Sequence, residues 1–206
     1  MRTIAFLSQK GGSGKTTLAV HIAVAAQAAG ENVILIDTDP QGSATAWGQA
    51  RKSKPPIVHR TIPSMLGGVL QKAMQEEVTL AIVDTPPHAT PGMDTVASAV
   101  DLLLIPCRPS AFDLAAITSS VQVAKAAGTP TTFVLNGCNH RSPEYNEARK
   151  VLERHGFPVC PAAPGHRTPF SRAISTGRAV TEFEPKGKAA EEINTLWEWV
   201  GKTLKK

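Results

Sequence analysis

The chain has 206 residues, 42% of them hydrophobic and 19% charged, and carries a net charge of +5. This balance excludes a disordered tract, a repeat array or a fibre, and suits one α/β domain over residues 1–206 with a sizeable core. No apolar run approaches the roughly 20 residues that cross a bilayer, and the opening MRTIAFLSQKGG has neither the length nor the cleavage site of a signal peptide, so a cytoplasmic location is expected.

Residues 3–8 form an apolar run that reads as a first strand. A glycine-rich loop leads from it into an Ala-rich helix over 15–29, which Gly30 ends. A strand over 32–37 and a helix over 43–52 follow, then a helix over 64–77 that opens near Ser64. The next elements are a strand over 80–84, a helix over 93–99, a strand over 102–106 and a helix over 114–127. A strand over 131–136, a helix over 144–155 started by Pro143, and a last helix over 189–204 complete the chain. Near-continuous apolar strands are those of a parallel sheet covered on both faces. The repeating βα order predicts a three-layer, doubly wound, mostly parallel sheet flanked by helices, with ligands at the carboxyl ends of its strands.

The segment Gly11-Gly12-Ser13-Gly14-Lys15-Thr16-Thr17 lies between the first strand and its helix, the context of a phosphate-binding loop. Glycines let backbone N–H groups turn inward around phosphates, and the helix N-terminus adds a favourable dipole. Lys15 brings a point charge to the β- and γ-phosphate oxygens of ATP, and the Thr16 hydroxyl is a magnesium ligand. Asp37 and Asp39 follow the second apolar run in Ile36-Asp37-Thr38-Asp39-Pro40-Gln41; Asp37 is expected in the Mg2+ shell. The run Leu80-Ala81-Ile82-Val83-Asp84 has the Walker B form, which puts Asp84 near the metal, and Thr85-Pro86-Pro87 reads as a switch that senses the terminal phosphate.

The loop departs from the common pattern: Gln9 stands where its first glycine belongs, and Lys10 precedes the glycines. The string KGGSGKTT resembles the deviant Walker A loop of the ParA/MinD family of ATPases, and DTDPQGS and VDTPP resemble that family's later motifs. The likeness spans residues 1–185 and is nearest to small ParA-type plasmid-partition ATPases. It implies that ATP joins two copies face to face as a homodimer, with Lys10 of each reaching the other's nucleotide. It further implies that Asp39 positions the attacking water and that Asn136 reads adenine; from the residues alone, Asn136 before Gly137 is equally a turn. A ParB-like adaptor would stimulate hydrolysis, and the output would be positioning of a cargo on nucleoid DNA.

Arg167, Arg172, Arg178, Lys186 and Lys188 are spaced cations without interleaved aromatics, which suits non-specific contacts to DNA phosphates; a solvated basic surface is the plain alternative. The loop begins so early that no helix-turn-helix is expected before it. A MinD-like membrane cycle is the competing reading, from the apolar and cationic ending EEINTLWEWVGKTLKK. Ile193, Leu196, Trp197, Val200 and Leu204 follow helical spacing, however, and a core-packed helix accounts for them. A metabolic enzyme of the dethiobiotin-synthetase type would need an acceptor pocket, for which the sequence offers no constellation. Cys107, Cys138 and Cys160 are odd in number and far apart, and read as buried thiols.

Overall fold

A computed structural model describes residues 1–51, 55–87 and 91–205. Its strands are β1 (Arg2–Phe6), β2 (Val33–Asp37), β3 (Ile57–Arg60), β4 (Leu80–Asp84), β5 (Leu102–Cys107) and β6 (Thr131–Leu135). They form one six-stranded sheet in the order β3-β2-β4-β1-β5-β6, parallel throughout. The doubly wound α/β expectation is borne out.

The helices are α1 (Lys15–Ala28), α2 (Ser43–Ala50), α3 (Leu66–Gln75), α4 (Met93–Ser98), α5 (Ala111–Ala127), α6 (Pro143–Glu153), α7 (Thr168–Ser175), α8 (Val180–Phe183) and α9 (Lys188–Thr203). Side chains of successive strand residues alternate between two cores. Ile4, Phe6, Leu35, Leu80, Ile82, Leu102 and Leu104 pack with α1, α2, α7, α8 and α9 on one face. Ala5, Ile36, Ala81, Val83, Leu103, Ile105 and Phe133 pack with α3 to α6 on the other. The Ala-rich sequence of α1 lets it lie buried between sheet and α9, with every residue from Leu18 to Ala26 covered.

Three elements were not expected. The edge strand β3 has only Ile57 and Val58 as apolar residues and Ile57 is 67% exposed, so no apolar run marks it. The short helices α7 and α8 occupy the basic stretch before the last helix. Strand β4 is therefore the fourth in sequence rather than the third, and lies between β2 and β1. Helix α3 is preceded by a 3-10 turn, Pro63–Met65, which takes up Ser64. Residue 52, the expected end of α2, falls outside the described residues.

In α9, Ile193, Leu196, Trp197 and Val200 are buried in the core beside α1, which takes this stripe out of reach of a lipid surface. No helix among the described residues is long and apolar enough to cross a membrane. The three cysteines are buried free thiols, each pushed up to about 12 by burial.

Candidate functional site

The parallel arrangement delivers the ends of β1, β2, β4, β5 and β6 to one edge of the sheet. A cleft of about 230 Å³ opens there, lined by Gly11, Gly12, Gly14, Lys15, Thr16, Thr17, Asp39, Pro87 and Arg108. Gly14 adopts φ 102°, ψ 18°, a backbone that a side chain would strain, and this turns the loop into the first residue of α1. The loop is tied down at its start by Gln9 N–H donating to Ser120 Oγ at 3.1 Å.

The two lysines of the loop differ sharply. Lys15 is 6% exposed, with its ammonium 3.5 Å from the Lys10 carbonyl oxygen. Burial lowers its pKa, while Asp84 and Asp39 oppose the shift. Lys10 is exposed. Ser13 is buried with its hydroxyl unpartnered.

The three acids also divide. Asp37 is fully buried, and its Oδ2 accepts from the Thr45 N–H at 2.8 Å and the Thr45 hydroxyl at 2.7 Å. Its Oδ1 accepts from Asp39 N–H at 3.1 Å, so Asp37 anchors the first turn of α2. Asp39 lines the cleft and accepts from Gln41 N–H at 2.9 Å, which closes the turn after β2. Asp84 is fully buried, and among the described residues neither of its carboxylate oxygens has a hydrogen bond of good geometry, although the Thr16 hydroxyl lies close enough to act on it. Burial pushes its pKa up to about 7; the neighbouring Thr16 hydroxyl and Lys15 oppose the rise, while Asp37 and Asp39 add to it. A carboxylate so sparsely answered at such depth is costly unless a further cation completes its surroundings.

Asp84 and the Thr16 hydroxyl are hard oxygen donors of the kind magnesium takes. Among the described residues there is no group of three or more His, Cys, Asp or Glu able to hold a metal alone. Magnesium fits regardless, because it is commonly held by one or two protein oxygens together with substrate phosphates and water.

The expected switch at Thr85-Pro86-Pro87 borders the cleft through Pro87. Thr85 donates to the Phe6 carbonyl at 2.6 Å, and Thr38 donates through both hydroxyl and N–H to the Asp84 carbonyl, at 2.8 and 3.0 Å. The ends of β1, β2 and β4 are thereby stitched together. Asn136 points its amide at the loop, with Nδ2 donating to the Ser13 carbonyl at 2.9 Å. It braces the phosphate loop, and its Oδ1 remains available as an acceptor.

The five cations expected at DNA are not equivalent. Arg167 grips Glu192 through two bonds of 2.9 and 2.7 Å, and Glu192 also accepts from the Gly165 N–H at 3.0 Å. Arg178 is exposed with its guanidinium 5.8 Å from the Phe183 ring centre, while its carbonyl accepts from Trp47 Nε1 at 3.1 Å. Arg172, Lys186 and Lys188 are exposed. Sequence reasoning missed Arg108, which follows β5 and lines the cleft; its one signal was its place at the end of an apolar run. It also missed Arg51, buried at the C-terminal end of α2, which forms paired 2.8 Å bonds to Glu182 and stacks 4.7 Å from the Trp47 ring centre. Through Arg51 and Trp47, the helix anchored by Asp37 holds the chain around Gly177 and Arg178, just before α8.

Residues 4–183 match the model of the CobQ/CobB/MinD/ParA nucleotide binding domain. The maintenance of carboxysome distribution protein A of Gloeobacter kilaueensis is 33% identical over 208 aligned positions, covering 98% of this chain and 94% of the relative. Two solved structures share the fold at lower identity. An ATP complex of a variant of Cyanothece McdA has a TM-score of 0.77 at 17% identity, covering 98% of this chain and 96% of that one. The septum site-determining protein MinD of Pyrococcus horikoshii, complexed with Mg-ADP, has a TM-score of 0.77 at 18% identity, covering 97% and 95%.

Proposed function

The chain belongs to the CobQ/CobB/MinD/ParA nucleotide-binding family and is an ATPase, and from that premise we propose that it is an ATP-switched dimer that positions a cargo on DNA. The observation that carries the reading is the split between the two loop lysines: Lys15 is buried and Lys10 is exposed. A loop serving only its own nucleotide needs the first; the exposure of the second supports a role on a phosphate brought by another copy.

In this reading the backbone N–H groups of Gly11 to Thr17 and the Lys15 ammonium bind the triphosphate. Thr16 and Asp84 would hold magnesium, with Asp37 supporting its surroundings from the base of α2, and the ion when bound would neutralise charge on the phosphate oxygens. The ATP in the Cyanothece structure and the Mg-ADP in the Pyrococcus structure support this choice of ligands. Asp39 orients the attacking water, whose oxygen bonds to the γ-phosphorus as the bond to the β-bridging oxygen breaks. ADP and phosphate are released. Lys15, and Lys10 of the second copy, face the charge that develops. Asn136 contributes its free Oδ1 to the adenine amino group.

Dimerisation joins the exposed Arg172, Arg178, Lys186 and Lys188 of two copies into one surface, and two weak sites held together bind DNA phosphates far better than one. Arg167 serves instead as a structural tie to Glu192. A ParB-like adaptor would speed hydrolysis and release the dimer. The plasmid of the sequence reading is one cargo that fits; the carboxysome for which the Gloeobacter relative is named is another.

The test is mass by light scattering, with binding to random duplex, in ATP, in ADP and without nucleotide across a salt series. Dimer and DNA binding should appear only with ATP, and the DNA affinity should fall steeply with salt. Lys10→Ala should keep ATP binding and lose the dimer. A dimer that persists in that variant, or DNA binding indifferent to nucleotide, refutes the reading.

A further inference from the structure

Arg108 stands apart from every other charged residue of the cleft. It follows β5, two strand positions from the acid of β4 and three from those of β2, and none of the phosphate-binding motifs contains it. Its backbone is fixed: its carbonyl accepts from Ser110 N–H at 2.8 Å, and the residue before it accepts from Asn136 N–H at 2.9 Å. Its side chain runs across Gly137, where an added Cβ would lie 3.9 Å from Cγ and 4.0 Å from Nε. It ends over the phosphate loop, where a Cβ on Gly12 would lie 3.9 Å from Nη2. These distances put the stem beside Gly137 and the guanidinium beside Gly12.

That guanidinium is exposed and makes no hydrogen bond or ion pair with any described residue, although it borders the same cleft as Asp39. Arg167 and Arg51, by contrast, are both held by paired bonds to a carboxylate. Five N–H donors in a planar fork, pinned at the backbone and left without an acceptor beside an anion cradle, match the paired oxygens of a phosphate.

We propose that Arg108 is a nucleotide-binding residue that contacts the phosphate chain held by its own chain's loop, as a third cation beside Lys15 and the exchanged Lys10. The proposal rests on the ATP reading above. It makes the cleft a site closed from two sides of β1: by the loop and the β2 and β4 acids on one, and by the end of β5 on the other. A neutral ligand of the same shape gains nothing from Arg108, so the residue selects for polyphosphate.

The experiment compares wild type, Arg108→Ala and Arg108→Lys with magnesium and ATP, reading the dissociation constant by titration and the rise in melting temperature at saturating ATP. Arg108→Ala should melt close to wild type without nucleotide, because among the described residues the side chain has no hydrogen bond or ion pair to lose. It should weaken ATP binding about tenfold or more, flatten the salt dependence of binding and shrink the ATP-induced rise in melting temperature. Arg108→Lys should recover only part of the affinity, since a point charge cannot make the paired contact. If wild type binds ATP and Arg108→Ala binds it equally well, this proposal fails alone; loss of the dimer at unchanged ATP affinity also overturns it, by assigning Arg108 to the second copy. If wild type itself does not bind ATP, the reading beneath it fails too.

Discussion

Replacing Gly14 by alanine tests the brace between the phosphate loop and the end of β6. The new Cβ would lie 2.0 Å from Asn136 Nδ2 and 3.2 Å from its Cγ. The amide must swing away, which breaks the 2.9 Å bond to the Ser13 carbonyl and costs about 1 kcal/mol. The backbone at φ 102° adds about 1–3 kcal/mol for a residue with a side chain. The single variant should therefore lose about 2–4 kcal/mol in urea unfolding. Asn136→Ala alone should lose about 1 kcal/mol for the same hydrogen bond. With Asn136 already gone, Gly14→Ala meets only the backbone strain, so the double variant should be about 1 kcal/mol more stable than the two losses summed. The cycle isolates contact from strain. Additivity within about 0.3 kcal/mol would show that Asn136 does not brace the loop.

His21 yields a pH prediction. It lies fully buried on α1, its Nδ1 accepting from Val180 N–H at 3.1 Å, and burial lowers its pKa to about 3, against smaller raising influences from the Phe170 backbone and Glu182. Between about 3 and the ordinary value of 6.5 the unfolded chain binds a proton that the folded chain refuses, so stability should rise with pH through that window, by up to about 1.4 kcal/mol per unit. His21→Leu should be less stable at neutral pH and show a shallower slope in that window; an unchanged slope refutes the assignment. Arg51→Ala should cost about 3 kcal/mol, because the side chain is 3% exposed and anchors Glu182, Gly177 and Trp47 together. Arg51→Lys should recover little, since it cannot make the paired contact to Glu182; full recovery in urea unfolding would count against the fork geometry.

The phosphate loop was legible because its function is local: consecutive residues, a preceding apolar run and glycines that must turn the backbone. The ends of β2 and β4 were legible for a related reason, since strands buried on both faces are apolar until they meet solvent or a site, and Asp37 and Asp84 mark those ends. Strand β3 left no such mark, because an edge strand is covered on fewer sides and keeps polar residues such as His59 and Arg60. Of the five cations assigned to DNA, spacing alone could not separate Arg167, whose partner Glu192 lies 25 residues away on α9.

The sequence by itself marked the glycine-rich loop and the βα alternation around it, because both depend on neighbours along the chain, and it left β3, α7 and α8 unmarked. Which charges are answered and which stand open was decided only by the tertiary structure. Asp37 is held by Thr45 while Asp84, its register partner on the adjacent strand, is buried without a hydrogen bond of good geometry among the described residues. Arg167 is tied to Glu192, while Arg108 lies beside Gly12 with no hydrogen bond or ion pair to any described residue. The worth of a charge is set by its burial and by the partners within a few ångströms, and in a parallel sheet those partners come from strands far apart in the chain.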